Sequence, residues 1–451
     1  MNFSKQEGAA SLVAIIAIVV IMVCAVALLI GALKPNTEVA NVAANETNTN
    51  TISPLHEDVT EPEEETEANY DDPTRAKGFT YSFLDMENQS AKGKNVIYSP
   101  LSIKYALKLL VEGAEGDTKT QIENLIKDEE ITKYKNIKDV LSLANAVYIK
   151  EEYKDTILDT YTDTVKDNYD AEVLYDEFKD AKNVNSWIED KTFGIIKDLL
   201  KDNQVQNPNL RMILINALAI DMEWKSSFST DDTFSGTFDK DGKNLEVAMM
   251  HKKETLSENI AYKIDDNVTV LAMDLEEYEG VQLEFDAIMP NHETLDTFIN
   301  DRSKDNIDYY LKNLTKASET EDGLNISIPK FDFDYSIDLK EELKAMGMKD
   351  AFEMNADFSK MTGDQTLYVG DAIHKADIEF SEDGIKAAAV TAFMMLAKSA
   401  IMEPTHPIEV TIDKPFMFVI RDKETGEVWF TGAVYEPVLW ENLKEEYRPQ
   451  F

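Results

Sequence analysis

The side chains that most often carry out acid–base or metal chemistry are few and scattered in this sequence. The histidines lack the spacing that metal ligands require, and they are His56, His251, His292, His374 and His406. The sequence has no glycine-rich phosphate loop, no Gly-x-Ser-x-Gly elbow and no His-Glu-x-x-His pair. A Ser-His-Asp triad depends on neighbours in space, which one sequence does not reveal. The residues therefore predict no enzyme, no metal site and no other cofactor.

A different chemistry is suggested by an alanine-rich segment, residues 382–399, which lies between two predicted strands, Lys375–Phe380 and Ile408–Ile412. Its alanines favour a helix. Read with a period of two, however, the segment places small or apolar side chains on one face of a strand. These are Ile385, Ala387, Ala389, Thr391, Phe393 and Met395, and the charge of Lys386 falls on the opposite face. The segment can therefore serve as a loop in one state and as a buried strand in another.

The elements around this segment include helices in the first half and strands in the second. Helical spacing runs over Ser102–Ile126, with breaks at Gly113 and Gly116, and an amphipathic helix is predicted over Val184–Leu200. Strands are predicted over Met212–Ile220, Val281–Met289, Ile326–Pro329, Phe416–Ile420 and Val428–Gly432. The pattern is typical of a mixed α/β or α+β domain with large sheets around one core.

Composition limits the class of partner. The chain has 451 residues, 43% of them apolar, which is enough for a large core in one or two domains. Its formal net charge of -41 argues against nucleic acid, because a phosphate backbone would be repelled. The acidity is typical of a solubilising surface, with a site for a basic partner as the alternative. Cys24 is the single cysteine, so the fold holds without an intramolecular disulfide.

The amino-terminal part is predicted to anchor the chain in a membrane. After residues 1–11, the stretch 12–33 has no charge and is long enough to cross about 30 Å of hydrocarbon as a helix. Residues 34–69 are rich in Asn, Thr and Glu and read as a disordered acidic stalk. The globular domain is predicted over 70–438, with a tail at 439–451. We expect a single-pass cell-membrane protein whose domain lies outside the cytoplasm; a cleaved signal and secretion are the alternative.

An ordered series of motifs resembles the serpin family of serine protease inhibitors over roughly residues 70–437. The series opens with Asn95–Ile103 and Gly113–Thr118 and closes with Asp413–Phe416, Phe430–Gly432 and Pro437. Between them lie Asn185–Ile188, Thr192–Gly194, Asn216–Ala217, Pro329–Phe331, Gly347–Phe352, Ala356–Ser359 and His374–Ala376. The resemblance implies an α+β fold with a large central sheet, further sheets, about eight or nine helices and an exposed reactive loop.

The resemblance also implies how such a protein acts. A target serine protease cuts the loop and forms an acyl-enzyme, and the cut loop then enters the central sheet as an added strand. The protein is consumed as an inhibitor and is not an enzyme. It needs no cofactor, and its expected partner is the target protease, held by a monomer. The alternative is a serpin-fold binding or carrier protein whose loop never traps a protease.

The hinge of the loop carries over onto a run of ten residues. They are Glu382, Asp383, Gly384, Ile385, Lys386, Ala387, Ala388, Ala389, Val390 and Thr391. Gly384 is expected to supply backbone freedom, and Ile385 departs from the family's usual small hydroxyl residue. The family's loop length places the cleaved bond at Lys398-Ser399, which suits a trypsin-like protease. A bond shifted to Met395, Leu396 or Met402 would suit chymotrypsin- or subtilisin-like enzymes.

Further residues resemble those that control opening of the sheet. Ser99, Ser102, Asn216 and His374 match the polar cluster beneath the point where strands part, and satisfied core polar groups are the plainer reading. Trp224 matches the aromatic residue at the top of the sheet near Glu382. Only twenty-one residues separate Ile122 from Ala144, so the helix that binds sulfated polysaccharide in some members looks shortened or absent. We therefore expect no glycosaminoglycan activation.

Overall fold

Three β-sheets and a set of surrounding helices make up the described part of the chain. The structure is a computed structural model that describes residues 77–126, 131–208, 210–302, 304–321, 323–363, 367–386 and 406–443. The predicted anchor at 12–33, the stalk at 34–69, most of the alanine-rich segment and nearly all of the tail lie outside these residues. Among the helices of the described ranges, none is long and apolar enough to cross a membrane.

The described residues contain ten α-helices, eight of which have at least seven residues. The helices are α1 Gly78–Ala91, α2 Pro100–Gly113, α3 Gly116–Ile126, α4 Asp159–Tyr169, α5 Lys182–Lys191, α6 Asp202–Val205, α7 Leu295–Asp301, α8 Lys304–Lys312, α9 Leu339–Ala345 and α10 Ser359–Thr362. Short 3₁₀ helices occur at Glu151–Thr156, Thr230–Asp232, Ala317–Glu319, Asp350–Phe352 and Trp440–Asn442.

The described ranges also contain seventeen strands. They are β1 Val96–Tyr98, β2 Leu141–Lys150, β3 Ala171–Asp176, β4 Met212–Glu223, β5 Thr233–Lys240, β6 Lys243–Glu254, β7 Ile260–Ile264, β8 Val268–Asp274, β9 Leu283–Pro290, β10 Thr315–Lys316, β11 Leu324–Pro329, β12 Phe331–Asp338, β13 Asp371–Phe380, β14 Gly384–Lys386, β15 Ile408–Thr411, β16 Phe416–Asp422 and β17 Val428–Val434. The predicted fold class, α+β with large sheets, is confirmed.

The six-stranded sheet is the one that positions the candidate site. Its order is β12-β13-β14-β4-β2-β3. The seven-stranded sheet runs β1-β17-β16-β9-β8-β7-β10, and all its pairings are antiparallel. The third sheet has the order β15-β11-β6-β5. The short strand β14 comes from the amino-terminal end of the alanine-rich segment, so five longer strands and one short insertion form the six-stranded sheet.

Helix α2 packs between the six-stranded and seven-stranded sheets and is buried along almost its whole length. Ser99 caps its first turn, because the Ser99 side chain accepts a hydrogen bond from the Ser102 amide at 3.0 Å. Pro100 follows at the first helical position, where the missing N–H is not needed. The sequence therefore fixes where α2 begins, and with it the position of two serines beneath the sheet.

Strand β4 is buried on both faces, as its nearly continuous apolar sequence predicts. Its even-numbered residues, such as Leu214 and Leu218, face the core between the sheets. Its odd-numbered residues, such as Ile213 and Ile215, pack against a separate cluster under helix α5. The two sides of this sheet therefore have different apolar coverings.

The prediction of one helix over Val184–Leu200 is wrong after Lys191, because α5 ends at that residue. Phe193 and Gly194 have positive φ angles of 56° and 79°, which a helix cannot contain. The apolar residues that follow still pack under α5, with Ile196 and Leu200 buried. The apolar pattern of residues 192–200 thus predicted their burial correctly but not their backbone conformation.

Candidate functional site

The first residues of the alanine-rich segment form a strand between the two central strands of the six-stranded sheet. On one side Gly384, Ile385 and Lys386 pair antiparallel with Glu223, Met222 and Asp221 of β4. On the other side Ile385 pairs with Phe380 of β13, and Lys386 pairs with Glu379. The side chain of Ile385 is only 2% exposed and packs in the core between the sheets. These three residues therefore form a strand and not a helix.

At the opposite end of the sheet the same two strands pair directly with each other. Asp371 and Ala372 of β13 lie parallel to Ile213 and Leu214 of β4. Strands β4 and β13 are therefore neighbours at one end and are separated by β14 at the other. No described strand lies between residues 215–220 and 373–378.

Gly384 is required here by space. A Cβ atom at this position would lie 2.1 Å from the carbonyl oxygen of Met222 and 2.8 Å from the Cα of Glu223. Gly384 is not among the glycines with positive φ. The expectation that Gly384 supplies backbone freedom stays a prediction. The structure shows a further requirement, because the hinge and β4 approach too closely here for any side chain.

Glu382 anchors the turn that precedes the hinge strand. Its carboxylate, 6% exposed, accepts a hydrogen bond from the Thr233 hydroxyl at 2.7 Å and forms an ion pair with Lys330. Its carbonyl oxygen accepts from the Phe228 amide at 2.9 Å. A buried charge of this kind is tolerable only when it is paired and hydrogen-bonded. The turn is thereby fixed to two other parts of the fold.

Trp224 holds the same turn from the end of β4. Its indole Nε1–H donates to the Ser381 carbonyl at 2.9 Å, and its backbone amide donates to the Asp383 carbonyl at 2.9 Å. Its ring contacts Phe380 with centroids 5.2 Å apart. The structure thus brings Trp224 next to Glu382, at the end of the sheet where β14 enters.

The four predicted cluster residues meet where α2 begins. The Ser99 amide donates to Nε2 of His374 at 3.0 Å, and the Ser102 hydroxyl donates to the Asn216 side-chain oxygen. Because Asn216 is on β4 and His374 is on β13, both central strands are held to the same helix end. The sequence analysis missed Asn145 of β2, whose side-chain oxygen accepts from the amide of Asn216. Asn145 and Asn216 are register partners, which only strand pairing reveals.

His374 is neutral in this cluster. It is 4% exposed, and burial lowers its pKa to about 4 from an ordinary value of 6.5. Because Nε2 accepts a hydrogen bond from Ser99, the ring proton belongs on Nδ1. Protonation of His374 would remove the acceptor and place an uncompensated charge in the core.

Two small cavities lie along the line where β4 and β13 diverge. One of about 10 Å³ lies just beyond the hinge, against Leu218, Ile378 and Ile385, with Ile195 and Ile196 among its walls. The other, of about 20 Å³, lies at the opposite end beside Asn216 and His374. Its apolar walls are Leu107, Leu214, Leu339, Leu343, Phe352 and Ala372. Packing is therefore incomplete along this line.

The remaining predicted site residues are not placed by the structure. Ala387, Ala388, Ala389, Val390 and Thr391 lie outside the described residues, as do Lys398 and Ser399. Within the described ranges, no group of three His, Cys, Asp or Glu residues is arranged to hold a metal ion.

Comparison with known proteins identifies the family to which this fold and site belong. The family model described as serpin, serine protease inhibitor, matches residues 74–437. The chain therefore belongs to the serpin family.

Individual relatives are similar over most of their length. An uncharacterized serpin-like protein of Thermococcus kodakarensis is 29% identical over 378 residues, which cover 79% of this chain and 84% of the relative. Glia-derived nexin of Mus musculus is 29% identical, with 78% and 91% covered. The solved structure of thyroxine-binding globulin in complex with thyroxine has a TM-score of 0.67 and 27% identity, covering 80% of this chain and 98% of that one.

Proposed function

We propose that this serpin is a suicide-substrate inhibitor of serine proteases, acting by cleavage of its reactive loop and insertion of the cut loop into the six-stranded sheet. The observation that carries the proposal is the pairing of Gly384–Lys386 with both β4 and β13. Residues 384–386 therefore already occupy, at one end of the sheet, the position between β4 and β13 that the rest of the loop would fill. A cut farther along the loop would release the rest of the segment to follow.

The register of β14 specifies where the following residues would go. Thr391 is six positions after Ile385, and six positions back from Met222 and Phe380 are Asn216 and His374. An inserting strand would therefore bring Thr391 into the polar cluster beneath the sheet. Ala387, Ala389 and Thr391 share the face of Ile385, so small uncharged side chains would enter the core.

Insertion supplies the free energy that the inhibitor needs. Successive added residues form ladder hydrogen bonds alternately with β4 and β13, and their burial removes apolar surface from water. Lys398 is twelve positions after Lys386, a distance of about 40 Å in a strand. Strand β4 also has twelve residues, so the inserted segment would span the whole sheet. A protease bound at Lys398 would be carried to the opposite end.

The covalent step uses the protease's own chemistry. The protease's serine oxygen bonds to the carbonyl carbon of Lys398, and the bond from that carbon to the nitrogen of Ser399 breaks. The nitrogen leaves as an amine with a proton from the protease's histidine. Insertion then carries the linked protease away from the leaving amine and distorts the protease active site before water can hydrolyse the ester, so the complex persists.

The proposed target is a trypsin-like protease, because the ammonium group of Lys398 would pair with a carboxylate in the specificity pocket. The alternative cut sites, Met395, Leu396 and Met402, would favour apolar pockets instead. The family's usual loop length, counted from Gly384, supports cleavage at Lys398-Ser399. The segment from Lys398 to Pro415 is longer than is usual in the family, which supports the alternative sites.

A binding or carrier function is the second candidate. It is favoured by the similarity to thyroxine-binding globulin, whose structure holds thyroxine. Such a protein would be cut in the loop without retaining the protease.

We also propose that the inhibitor is tethered outside the cytoplasm by residues 12–33, with residues 34–69 as a spacer. The length of the uncharged stretch supports an uncleaved span. A secreted form is the alternative. Nucleic acid and sulfated polysaccharides are not proposed as partners, because both are anionic and the chain has a net charge of -41.

A protease panel tests the inhibitory function. The chain is incubated with trypsin-, chymotrypsin- and subtilisin-like enzymes, and complexes that resist denaturant are sought on gels. We expect a complex with a trypsin-like enzyme that Lys398→Glu abolishes. Lys138→Glu, at a side chain 91% exposed elsewhere on the surface, is the matched charge control and should leave the complex intact. Cleavage without any complex would contradict the proposal and favour the carrier function.

A further inference from the structure

Four Asn-x-Ser/Thr tripeptides lie in the described ranges, and burial separates them into two pairs. Such a tripeptide, or sequon, is the acceptor for N-linked glycosylation and requires a surface asparagine. Asn88 and Asn325 head the sequons of the first pair, and Asn267 and Asn313 head those of the second. Another sequon, at Asn45, belongs to the predicted stalk outside the described residues.

The asparagines of the first pair are engaged within the fold. Asn88 is 2% exposed; its Nδ2 donates to Asp296 at 2.8 Å, and its side-chain oxygen accepts from the Tyr435 hydroxyl at 2.9 Å. A chain with a sugar on Asn88 could not complete this core. Asn325 is half-buried in β11, between β6 and β15, and its Nδ2 donates to the Glu409 carboxylate at 2.7 Å. Neither asparagine is therefore presented as an acceptor.

The asparagines of the second pair are both exposed. Asn267 lies in the turn between β7 and β8. Its backbone amide donates to the Asp265 side chain at 2.8 Å, and its carbonyl oxygen accepts from the Asn291 amide at 2.9 Å. These bonds fix the backbone of the turn and not the Asn267 side chain. Asn313 follows α8, and its Nδ2 donates one hydrogen to the Tyr309 carbonyl at 3.1 Å, which leaves the other hydrogen of the amide.

The strand register brings the two exposed sequons to one end of β7. Thr315 of β10 pairs with Tyr262, and Ile264 at the end of β7 pairs with Thr269. Each sequon asparagine stands two positions before its threonine, Thr315 or Thr269. Both asparagines therefore flank the same end of β7, one on each side of this strand.

This end of β7 is poorly covered. The side chain of Ile264 is 47% exposed, and β10, the edge strand of the seven-stranded sheet, has only two residues. An exposed edge with an apolar side chain favours association between chains unless it is covered. A glycan is bulky and solubilising, and two of them at this position would surround Ile264.

We propose that Asn267 and Asn313 carry N-linked glycans at this exposed edge of the seven-stranded sheet. The inference rests on the proposed extracytoplasmic location and is independent of the proposed protease inhibition. The ligand class is an oligosaccharide supplied by a lipid-linked sugar phosphate.

The transfer replaces one bond by another. The Nδ2 of the asparagine bonds to the anomeric carbon of the sugar, and the bond from that carbon to the phosphate oxygen of the donor breaks. One amide proton leaves to a base of the transferring enzyme, and the lipid phosphate departs. The Thr269 hydroxyl is buried and donates to Asn291 at 3.0 Å, so transfer to Asn267 has to precede folding of β8.

Glycans at these positions leave the hinge of the reactive loop accessible. Trp224, which holds the turn before the hinge, forms a bridge with Leu275 at the far end of β8 from Asn267. The seven residues of β8 separate the two ends by about 24 Å. The modification is therefore compatible with entry of the loop into the six-stranded sheet.

Peptide mapping by mass spectrometry tests the inference on the full chain isolated from its source organism. The peptides that contain Asn267 and Asn313 should carry the mass of a glycan, and those that contain Asn88 and Asn325 should not. A bare asparagine at either exposed site would overturn the assignment of that site. A glycan on Asn88 in the folded protein would overturn the sorting by burial.

Variants at Thr315 separate the sequon from any other role of its asparagine. Thr315→Ala destroys the acceptor but leaves Asn313 in place, so the intact mass should fall by one glycan beyond the change of side chain. Thr315→Ser is the matched control and should keep the glycan, because serine also completes the sequon. Asn313→Gln should lose the same mass as Thr315→Ala. A glycan retained in Thr315→Ala would overturn this site.

The stalk sequon distinguishes failure of this inference from failure of the proposed location. Protease digestion of intact cells reports the location independently of any sugar. A chain that is digested from outside and carries a glycan at Asn45, but none at Asn267 or Asn313, would overturn the two sites alone. A chain that is protected in intact cells and bare throughout would overturn the extracytoplasmic location as well.

Discussion

Asn216 and His374 lie on the two central strands of the six-stranded sheet and are both hydrogen-bonded to serines at the start of one helix. Ser102 donates to Asn216, and the Ser99 amide donates to His374. Neither strand can move away from the other without breaking one of these bonds. The relationship makes the beginning of α2 the fixed point against which the sheet opens.

Low pH should destabilise the fold through protonation of His374, which is bonded to the start of α2. Between pH 6.5 and about 4 the unfolded chain binds a proton at this histidine that the folded chain does not, because burial lowers the folded-state pKa to about 4. The free energy of unfolding should therefore fall with falling pH across this window, by about 1.4 kcal/mol per pH unit from this group. Urea unfolding of the parent protein and His374→Gln between pH 4 and pH 7 measures the difference in slope. His292→Gln, at an exposed histidine, should behave as the parent; an equal slope in His374→Gln would refute the assignment.

Loss of the buried Glu382 carboxylate should release the turn before the hinge. Glu382→Gln keeps the shape but removes the charge that faces Lys330, and we expect a loss of roughly 3 kcal/mol in the free energy of unfolding. The double variant Glu382→Gln with Lys330→Met should recover part of this loss, because the ammonium group that lost its ion pair with Glu382 is then removed as well. Urea unfolding measures the free energy of unfolding of the parent protein, Glu382→Gln, Lys330→Met and the double variant. Strict additivity of the two single changes would show that the pair is not coupled.

Any side chain at position 384 should expel the hinge from the sheet. In Gly384→Ala the added methyl group collides with the carbonyl oxygen of Met222, so β14 cannot remain paired with β4. We expect the amides of Ile385 and Lys386 to lose their protection from hydrogen exchange. Asp383→Ala, one position earlier and exposed, should keep that protection. Unchanged protection in Gly384→Ala would mean that the close approach does not hold in solution.

Charge on the inserting face should turn the inhibitor into an ordinary substrate. Ala387→Arg would bury an unpaired guanidinium in the core between the sheets. Ala388→Arg would place the same group on the opposite face, at the register position of the half-buried carboxylate of Asp377. With a protease that the parent protein traps, we expect Ala387→Arg to be cut without a denaturant-resistant complex. Ala388→Arg should still form one. Complex formation by both variants would show that the segment does not insert in the register of β14.

Patterns local in sequence predicted most of the elements that build the site. The continuous apolar run of β4 and the period-two alternation at Ile385 are properties of neighbouring residues, so they could be read without a structure. The glycines at 113 and 116 likewise separated α2 from α3. The end of α5 at Lys191 could not be read, because the apolar residues after it keep helical spacing while the backbone turns.

Contacts between distant residues could not be predicted from this one sequence. Asn145 joins the polar cluster through pairing of β2 with β4, and Lys330 meets Glu382 across fifty-two positions. Backbone freedom was expected at Gly384, but the lack of space beside Met222 could not be read from the sequence. Each of these depends on which strands become neighbours, and the resemblance to the serpins supplied that information only for the residues it shares.

The most direct measurement is the melting temperature of the protein before and after a single cut in the reactive loop. If the released segment enters the six-stranded sheet between β4 and β13, the cut protein must melt well above the intact one. An unchanged or lower melting temperature after a cut between Met395 and Met402 would contradict insertion and, with it, inhibition by this route.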